Sequence, residues 1–194
     1  MVLESLAGVI ELLSEVFLDP EADVKLRARA LADDASLPAG LREALRELAE
    51  ASGNPREQSV EYVRLFLHGT TGATVHPYES VQLKGRLMDP DVLGNLKALF
   101  ARADIRPRAD LAMPPDHIGL ELELLGYLLR CARTGGAEET EALARDFMAA
   151  HVAPFSAALA AALDGAEPGR YYGTAGKVLL EAVTAASNGS QPGV

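Results

Sequence analysis

The sequence predicts an all-α fold, a single-domain bundle of seven to eight helices. The helix formers Ala, Leu, Glu and Arg dominate the composition, whereas the chain holds only three isoleucines. Several long stretches repeat apolar residues every three or four positions, which is the period of an amphipathic helix. A chain of 194 residues that is 48% hydrophobic can bury a substantial core and suits one domain better than two.

The first predicted helix runs from Val2 to Leu18, where apolar residues repeat at helical spacing and Asp19-Pro20 ends the pattern. The same reasoning predicts further helices at Val24–Leu31, Leu41–Ala51, Arg56–His68, Pro90–Ala103, Ile118–Thr134, Glu138–Leu163 and Tyr171–Ala186. A short helix is also expected to begin at Glu79 and Ser80. Proline lacks a backbone N–H, so Pro154 is expected to bend the helix that contains it.

Two irregular stretches, 68–80 and 104–115, interrupt the helical pattern and are expected to lie together. The second stretch leads into the most apolar helix, which is predicted to sit centrally in the bundle and to end before Gly135-Gly136. Asp116 stands where its carboxylate can cap that helix. The predicted organisation is a helical domain over 1–186 and a disordered tail over 187–194.

The formal net charge of -10 argues against binding to nucleic-acid phosphates or to anionic membranes. Cys131 is the single cysteine, which excludes an internal disulfide and is consistent with a reducing compartment. It falls on the apolar face of the central helix, where a small buried hydrophobe is expected. The N-terminus lacks the basic start of a secretion signal, and no uncharged run approaches the roughly 20 residues that span a bilayer. The protein is predicted to be cytoplasmic.

The chain contains no phosphate-binding glycine loop and no recognised catalytic signature, so it is predicted not to be an enzyme and to need no cofactor. His117 and Glu121 are four residues apart on one helix face, which favours a salt bridge. The alternative is a small metal- or ligand-binding protein that uses His117 and Glu121 with His76 or His151. His151 itself is interpreted as a packed histidine with one hydrogen-bond partner.

A second group of polar residues lies in the two irregular stretches. Tyr78, Glu79 and Ser80 follow Pro77 and can either cap a short helix or bind a partner. Together with Asp116 and His117 they would form a concave site that is rich in hydrogen-bond acceptors. Such a site suits a peptide that carries arginine, because guanidinium groups form bidentate, charge-assisted bonds with carboxylates.

Three segments in order resemble the TorD/DmsD/NarJ family of redox-enzyme maturation chaperones. They read Tyr-Val-Arg-Leu-Phe at 62–66, His-Pro-Tyr-Glu-Ser-Val at 76–81 and Pro-Asp-His-Ile-Gly-Leu-Glu-Leu-Glu at 115–123. The segment 147–155 is similar to the His-containing helix of that family, although Val152-Ala153 stands where a tryptophan is usual. The resemblance covers roughly residues 60 to 160.

The resemblance implies a TorD/DmsD-like fold and a cytoplasmic chaperone. Its partner would be the twin-arginine signal peptide, or the apo form, of a molybdenum-cofactor (molybdopterin) oxidoreductase subunit, held until the cofactor is inserted. A relative of NarJ that serves a nitrate reductase subunit that is not exported is an alternative within the class. By motif position, the residues that would line or support the peptide-binding region are Tyr78, Glu79, Ser80, Asp116, His117 and Glu121. A monomer and a dimer are both compatible with the family.

Overall fold

The computed structural model describes residues 2–67, 74–106, 113–133 and 138–189. Within these ranges the chain is helical and contains no β-strand, which confirms the all-α prediction. The helices are α1 (Val2–Leu18), α2 (Lys25–Ala32), α3 (Ala39–Ala51), α4 (Pro55–Tyr62), α5 (Glu79–Lys84), α6 (Pro90–Arg102), α7 (Ile118–Arg133), α8 (Glu138–Phe147), α9 (Ala153–Gly165) and α10 (Arg170–Gly189). Two π-helical turns are continuous with α-helices. Val63–Leu67 continues α4, and Met148–Val152 joins α8 to α9.

Helix α1 is the centre of the bundle. It packs against α7, α10 and α2, while α9 packs against α10 and α8 against α7. Many of the buried side chains of α1 and α7 are fully inaccessible, among them Leu13 and Leu125. The central position predicted for the helix after His117 is therefore confirmed. Because α1 and α7 are apolar on wide faces, their packing removes a large area from water and fixes the frame on which the other helices sit.

Local capping chemistry sets several helix ends. Asn54 accepts the backbone N–H of Glu57 at the start of α4, and Asp89 accepts the N–H groups of Asp91 and Val92 at the start of α6. A proline follows each cap as the first helical residue, where the absence of its N–H costs nothing. These two helices therefore begin within one residue of their predicted starts.

Pro154 has a visible effect on its helix. Proline has no N–H to donate to the carbonyl oxygen of the preceding turn. The turn before Pro154, Met148–Val152, adapts to this by becoming π-helical. The helix that results runs from Glu138 to Gly165 and is long and apolar enough, in part, to cross a bilayer. The expectation that no uncharged run approaches the roughly 20 residues that span a bilayer was wrong, because residues 147–163 of this helix contain no Asp, Glu, Lys or Arg. Half of the most apolar stretch of this helix is buried inside the protein, because α9 packs on α10.

Helix α10 extends to Gly189, three residues past the predicted end at Ala186. The hydroxyl of Ser187 donates to the carbonyl oxygen of Val183 at 2.9 Å and so stays within the helix. The predicted helix end was therefore three residues short, whereas the predicted division into a helical domain and a disordered tail stays a prediction, because residues 190–194 lie outside the described part. Three other parts of the predicted pattern also lie outside it. They are residues 68–73 of the first irregular stretch, residues 107–112 of the second, and the predicted helix end at 134–136.

Candidate functional site

The two irregular stretches do meet, and they meet through a short antiparallel bridge. Tyr78 pairs with His117. The N–H of Glu79 donates to the carbonyl oxygen of Asp116, and the N–H of Ile118 donates to the carbonyl oxygen of Pro77, both at 2.9 Å. Helices α5 and α7 begin directly after this bridge, so their N-terminal ends lie side by side. We call Glu79, Ser80, Asp116, His117, Glu121 and His151, which surround the bridge, the acidic junction.

Asp116 is fully buried and is held by Ser80. Its Oδ2 accepts the backbone N–H of Ser80 at 3.1 Å and also accepts the hydroxyl of the same residue. Ser80 is the second residue of α5, so Asp116 caps α5 from outside that helix. The expectation that Asp116 caps the central helix was wrong, because the bridge turns its carboxylate towards α5.

His117 caps α7 instead. Its carbonyl oxygen accepts the N–H groups of Leu120 and Glu121, and its Nδ1 accepts the N–H of Gly119 at 3.2 Å. Nδ1 can accept only when it carries no proton, and burial of the ring lowers the pKa of His117 from 6.5 to about 4. The imidazole is therefore neutral at neutral pH.

The salt bridge predicted between His117 and Glu121 is not among the ion pairs of the described residues. The histidine ring is uncharged, and its Nδ1 is already used by the backbone of Gly119. The ring instead packs edge-on against Tyr78, with 5.3 Å between the ring centroids. Tyr78 is partly buried, and burial together with the charge of Asp116 raises the pKa of its hydroxyl.

Glu79 and Glu121 bring two further carboxyl groups into the junction, with 2% and 1% of their surfaces exposed. Nδ1 of His151 lies 2.9 and 3.0 Å from the two carboxylate oxygens of Glu79. Burial, followed by the nearby Glu79 and Asp116, raises the pKa of Glu121 well above 4.5. Burial therefore favours the neutral form of Glu121.

The junction holds more buried acceptors than donors. Within the described residues, Oδ1 of Asp116 and both carboxyl oxygens of Glu121 are buried and have no hydrogen-bond partner. A buried polar atom without a partner costs about 1 to 3 kcal/mol. The arrangement can therefore accept additional donors, either protons or the N–H groups of a ligand.

All six residues predicted for the site are brought together, but five of them are buried rather than open to solvent, and Tyr78 is half-exposed. Their contribution to peptide binding therefore remains a prediction. A groove of about 870 Å³ on another face, between α3, α9 and α10, is not lined by any of them.

Sequence reasoning left His151 out of the site. Its interpretation as a packed histidine with one partner is confirmed, because the ring is buried against Phe147 and bonds to Glu79. The partner is a carboxylate 72 positions away, and no local pattern around His151 reveals it. Pro154, which lies close to His151 in the chain, is the sequence feature that pointed to this region, and the π-helical turn before it positions the ring.

The metal-binding alternative gains no support from the geometry. In the ranges that the structure describes, no group of three or more His, Cys, Asp or Glu side chains is arranged to hold a metal ion. His76 is exposed, and its carbonyl oxygen only accepts a bond from Gln82. His117, Glu121 and His151 are buried, but His117 and His151 direct their ring nitrogens to different partners.

The described residues form an all-α bundle whose two irregular stretches meet at a buried acidic junction. The chain belongs to the family described as nitrate reductase delta subunit, whose sequence model matches residues 34–161. It therefore falls within the TorD/NarJ family of redox-enzyme maturation chaperones, as the sequence motifs predicted. The matched range contains every residue of the acidic junction.

Two relatives are named chaperone protein TorD. The one from Aeromonas salmonicida (strain A449) is 30% identical over 147 residues, which are 72% of this chain and 63% of the relative. The one from Aliivibrio salmonicida (strain LFI1238) is 30% identical over 109 residues, which are 56% of this chain and 49% of the relative. The chain thus spans about half to just under two thirds of the length of these relatives, both of which are named as chaperones rather than enzymes.

Proposed function

We propose that this protein is a cytoplasmic chaperone, not an enzyme, that matures a molybdopterin oxidoreductase subunit. It binds the twin-arginine signal peptide of that subunit, its apo form, or both, and holds them until the cofactor is inserted. Membership of the family and the named TorD relatives support the class of function. The observation that carries the proposed binding site is the excess of buried acceptors at the acidic junction.

An arginine side chain supplies what the junction lacks. A guanidinium group carries five N–H donors in a fixed plane and no acceptor. Oδ1 of Asp116 and the carboxyl oxygens of Glu121 offer acceptors without donors in the described part of the chain. Lysine would match this pattern less well, because its ammonium group is a point charge and not a planar fork.

The apolar part of a signal peptide also has a surface nearby. Leu87 and Met88 expose 56% and 54% of their surfaces in the turn between α5 and α6. The backbone N–H of Met88 donates to the hydroxyl of Ser80, which places this turn next to the junction. Methionine adapts its shape to varied apolar partners, so this turn suits a client whose sequence varies.

Direct contact with the carboxylates requires the end of α5 to move away from α7, because the junction is closed in this structure. Helix α5 has six residues and is short enough to be held mainly by its contacts. Those contacts are the bridge at Tyr78, the bonds of Ser80 to Asp116 and the pair of Glu79 with His151.

Calorimetry with a synthetic twin-arginine signal peptide tests the proposal. We expect binding by the wild type, at least tenfold weaker binding when both arginines are replaced by glutamine, and a similar loss for Asp116→Asn. Asp34→Asn is a matched control, since Asp34 also accepts a serine hydroxyl and a backbone N–H but lies outside the junction. Equal affinity for the two peptides would refute arginine recognition, and unchanged binding by Asp116→Asn would refute the site.

The alternative within the class is a chaperone for a subunit that is not exported. It predicts that the wild type binds an N-terminal peptide that lacks the arginine pair as tightly as one that has it. The same titration therefore separates the two clients.

A further inference from the structure

Glu79 and Glu121 belong to the first turns of α5 and α7, whose N-terminal ends lie side by side at the acidic junction. Both side chains are almost completely buried, and Glu79 is near enough to help raise the pKa of Glu121. His151 engages both oxygens of Glu79 from the π-helical turn. In the described residues neither carboxyl oxygen of Glu121 has a hydrogen-bond partner, although both are buried.

Two carboxylates in contact cannot both be ionised without water or a cation between them, since like charges repel strongly at low polarity. A carboxylic acid and a carboxylate form a strong hydrogen bond instead. Both oxygens of Glu79 already contact Nδ1 of His151, so we assign the proton to Glu121. The raised pKa of Glu121, caused first by burial and then by Glu79 and Asp116, is consistent with this placement.

The charged and titratable groups around the pair come from each packed element. Helix α5 contributes Glu79, the π-helical turn contributes His151, and the segment before α7 contributes Asp116 and the neutral ring of His117. Helix α1 presents the hydroxyl of Ser14 to the carbonyl oxygen of Gly119. Glu11 of α1 also forms an ion pair with Arg130 of α7.

We propose that the proton shared by Glu79 and Glu121 is a latch that holds α5 closed on α7. With the proton in place, the junction is joined by a short carboxyl–carboxylate bond. Without it, two adjacent negative charges push the N-terminal ends of α5 and α7 apart and expose Asp116. On the proposed function, a guanidinium group of the client enters as this proton leaves, so that one positive charge replaces another.

Hydrogen–deuterium exchange of the full-length protein tests the latch without any peptide. The amides of 77–80 and 116–119 are followed between about pH 5 and pH 9 and corrected for the intrinsic exchange rate. We expect their protection to fall as the pH rises in the wild type and in Glu123→Gln, a control on an exposed glutamate of the same helix. In Glu121→Gln, whose amide mimics the protonated acid, protection should not change with pH.

A flat profile in the wild type, or an unaltered slope in Glu121→Gln, would overturn the latch. If Glu121→Gln does not fold, carbon-13 titration of the glutamate carboxyls in the wild type decides the matter. One resonance that titrates well above 4.5 supports the shared proton, and titration of all of them near that ordinary value refutes it.

Peptide calorimetry in two buffers of different ionisation enthalpy then links the latch to the client. Wild type should release about one proton per peptide bound, and Glu121→Gln should release none. Binding without proton release would refute the exchange of proton for guanidinium. If no peptide binds the wild type, the proposed function fails, whereas the exchange experiment still decides whether the latch exists.

Discussion

Ser80 connects the buried carboxylate of Asp116 to the exposed turn that follows α5. Its N–H and hydroxyl both donate to Oδ2 of Asp116, and the oxygen of the same hydroxyl accepts the N–H of Met88. Met88 has a φ of 59°, a left-handed backbone that is unfavourable for a residue with a side chain. The hydroxyl of Ser80 therefore stabilises a strained turn and a buried charge at once.

Replacing Ser80 with alanine should lower the free energy of unfolding by about 1 to 3 kcal/mol, because the N–H of Met88 and Asp116 each lose a partner. Urea denaturation measures the change. Ser156→Ala is a matched control, since Ser156 is equally buried but its hydroxyl has no partner among the described residues. We expect that control to be neutral or slightly stabilising. Equal losses in the two variants would mean that the hydroxyl bonds of Ser80 contribute nothing.

The buried imidazole of His117 should make stability depend on pH. Its pKa falls from 6.5 to about 4 on folding, so the unfolded chain binds more protons between these values. The contribution is complete above pH 6.5 and is lost as the pH falls towards 4, with an upper size of about 3 kcal/mol. His117→Asn keeps a capping oxygen for α7 but cannot titrate, so its unfolding free energy should fall less over this interval.

Unfolding curves at several pH values between 7 and 4 provide the comparison, and the exposed His76→Asn should behave as the wild type does. Glu121 acts in the opposite direction, because its raised pKa makes stability fall as the pH rises above 4.5. The quantity to compare is therefore the difference between each variant and the wild type. An identical pH dependence for His117→Asn and wild type would contradict a neutral, buried ring.

Close packing of α1 on α7 should make Gly119 sensitive to a single methyl group. A Cβ at this position would lie 2.5 Å from Cγ of Leu18, and Cγ is not a flexible side-chain end. Gly119→Ala should therefore destabilise the protein by about 1 to 3 kcal/mol and lower its melting temperature. Gly94→Ala in α6 is the control, because nothing lies within 4 Å of its added Cβ.

That control should stabilise the protein by up to about 1 kcal/mol, because alanine is the better helix former. A stabilising Gly119→Ala would show that α1 and α7 are further apart at this point than the structure has them.

The pair of Glu79 and His151 should show strong coupling in a double-mutant cycle. His151→Leu removes the ring that contacts both oxygens of the buried Glu79 carboxyl and should cost about 3 to 5 kcal/mol. The double variant Glu79→Met with His151→Leu removes both polar groups and should be more stable than the sum of the single changes implies. We expect a coupling energy above about 1 kcal/mol from chemical denaturation. Additive single changes would contradict a direct pair.

The helices could be predicted because their starts depend on neighbouring residues. The hydrogen bonds of the site could not, because they join residues that are far apart in the sequence. Asn54-Pro55 and Asp89-Pro90 fix helix starts within a few residues of themselves, so the sequence reveals them. The cap that Asp116 forms is different, because it depends on Ser80 36 positions earlier. A carboxylate just before a helix normally caps that helix. Here the bridge between Tyr78 and His117 directs the carboxylate of Asp116 to α5 instead.

The motif resemblance carried more of the site than the physical pattern did. It placed all six residues in one region, and the structure brings them together there, while their part in binding stays a prediction. Their burial could not be read from the sequence, because Glu79, Ser80 and Asp116 belong to residue types that are normally exposed.

The π-helical turn at Met148–Val152 makes the two halves of the long helix from Glu138 to Gly165 present their apolar sides in different directions. A π turn accommodates one residue more than an α turn, so the sequence on either side is offset by about 100° around the axis. The first half can thus direct its apolar side to α7 while the second half directs its own to α10. Deleting Ala149 would restore a regular helix and rotate one half away from its neighbour, so this segment should tolerate substitutions better than changes in its length.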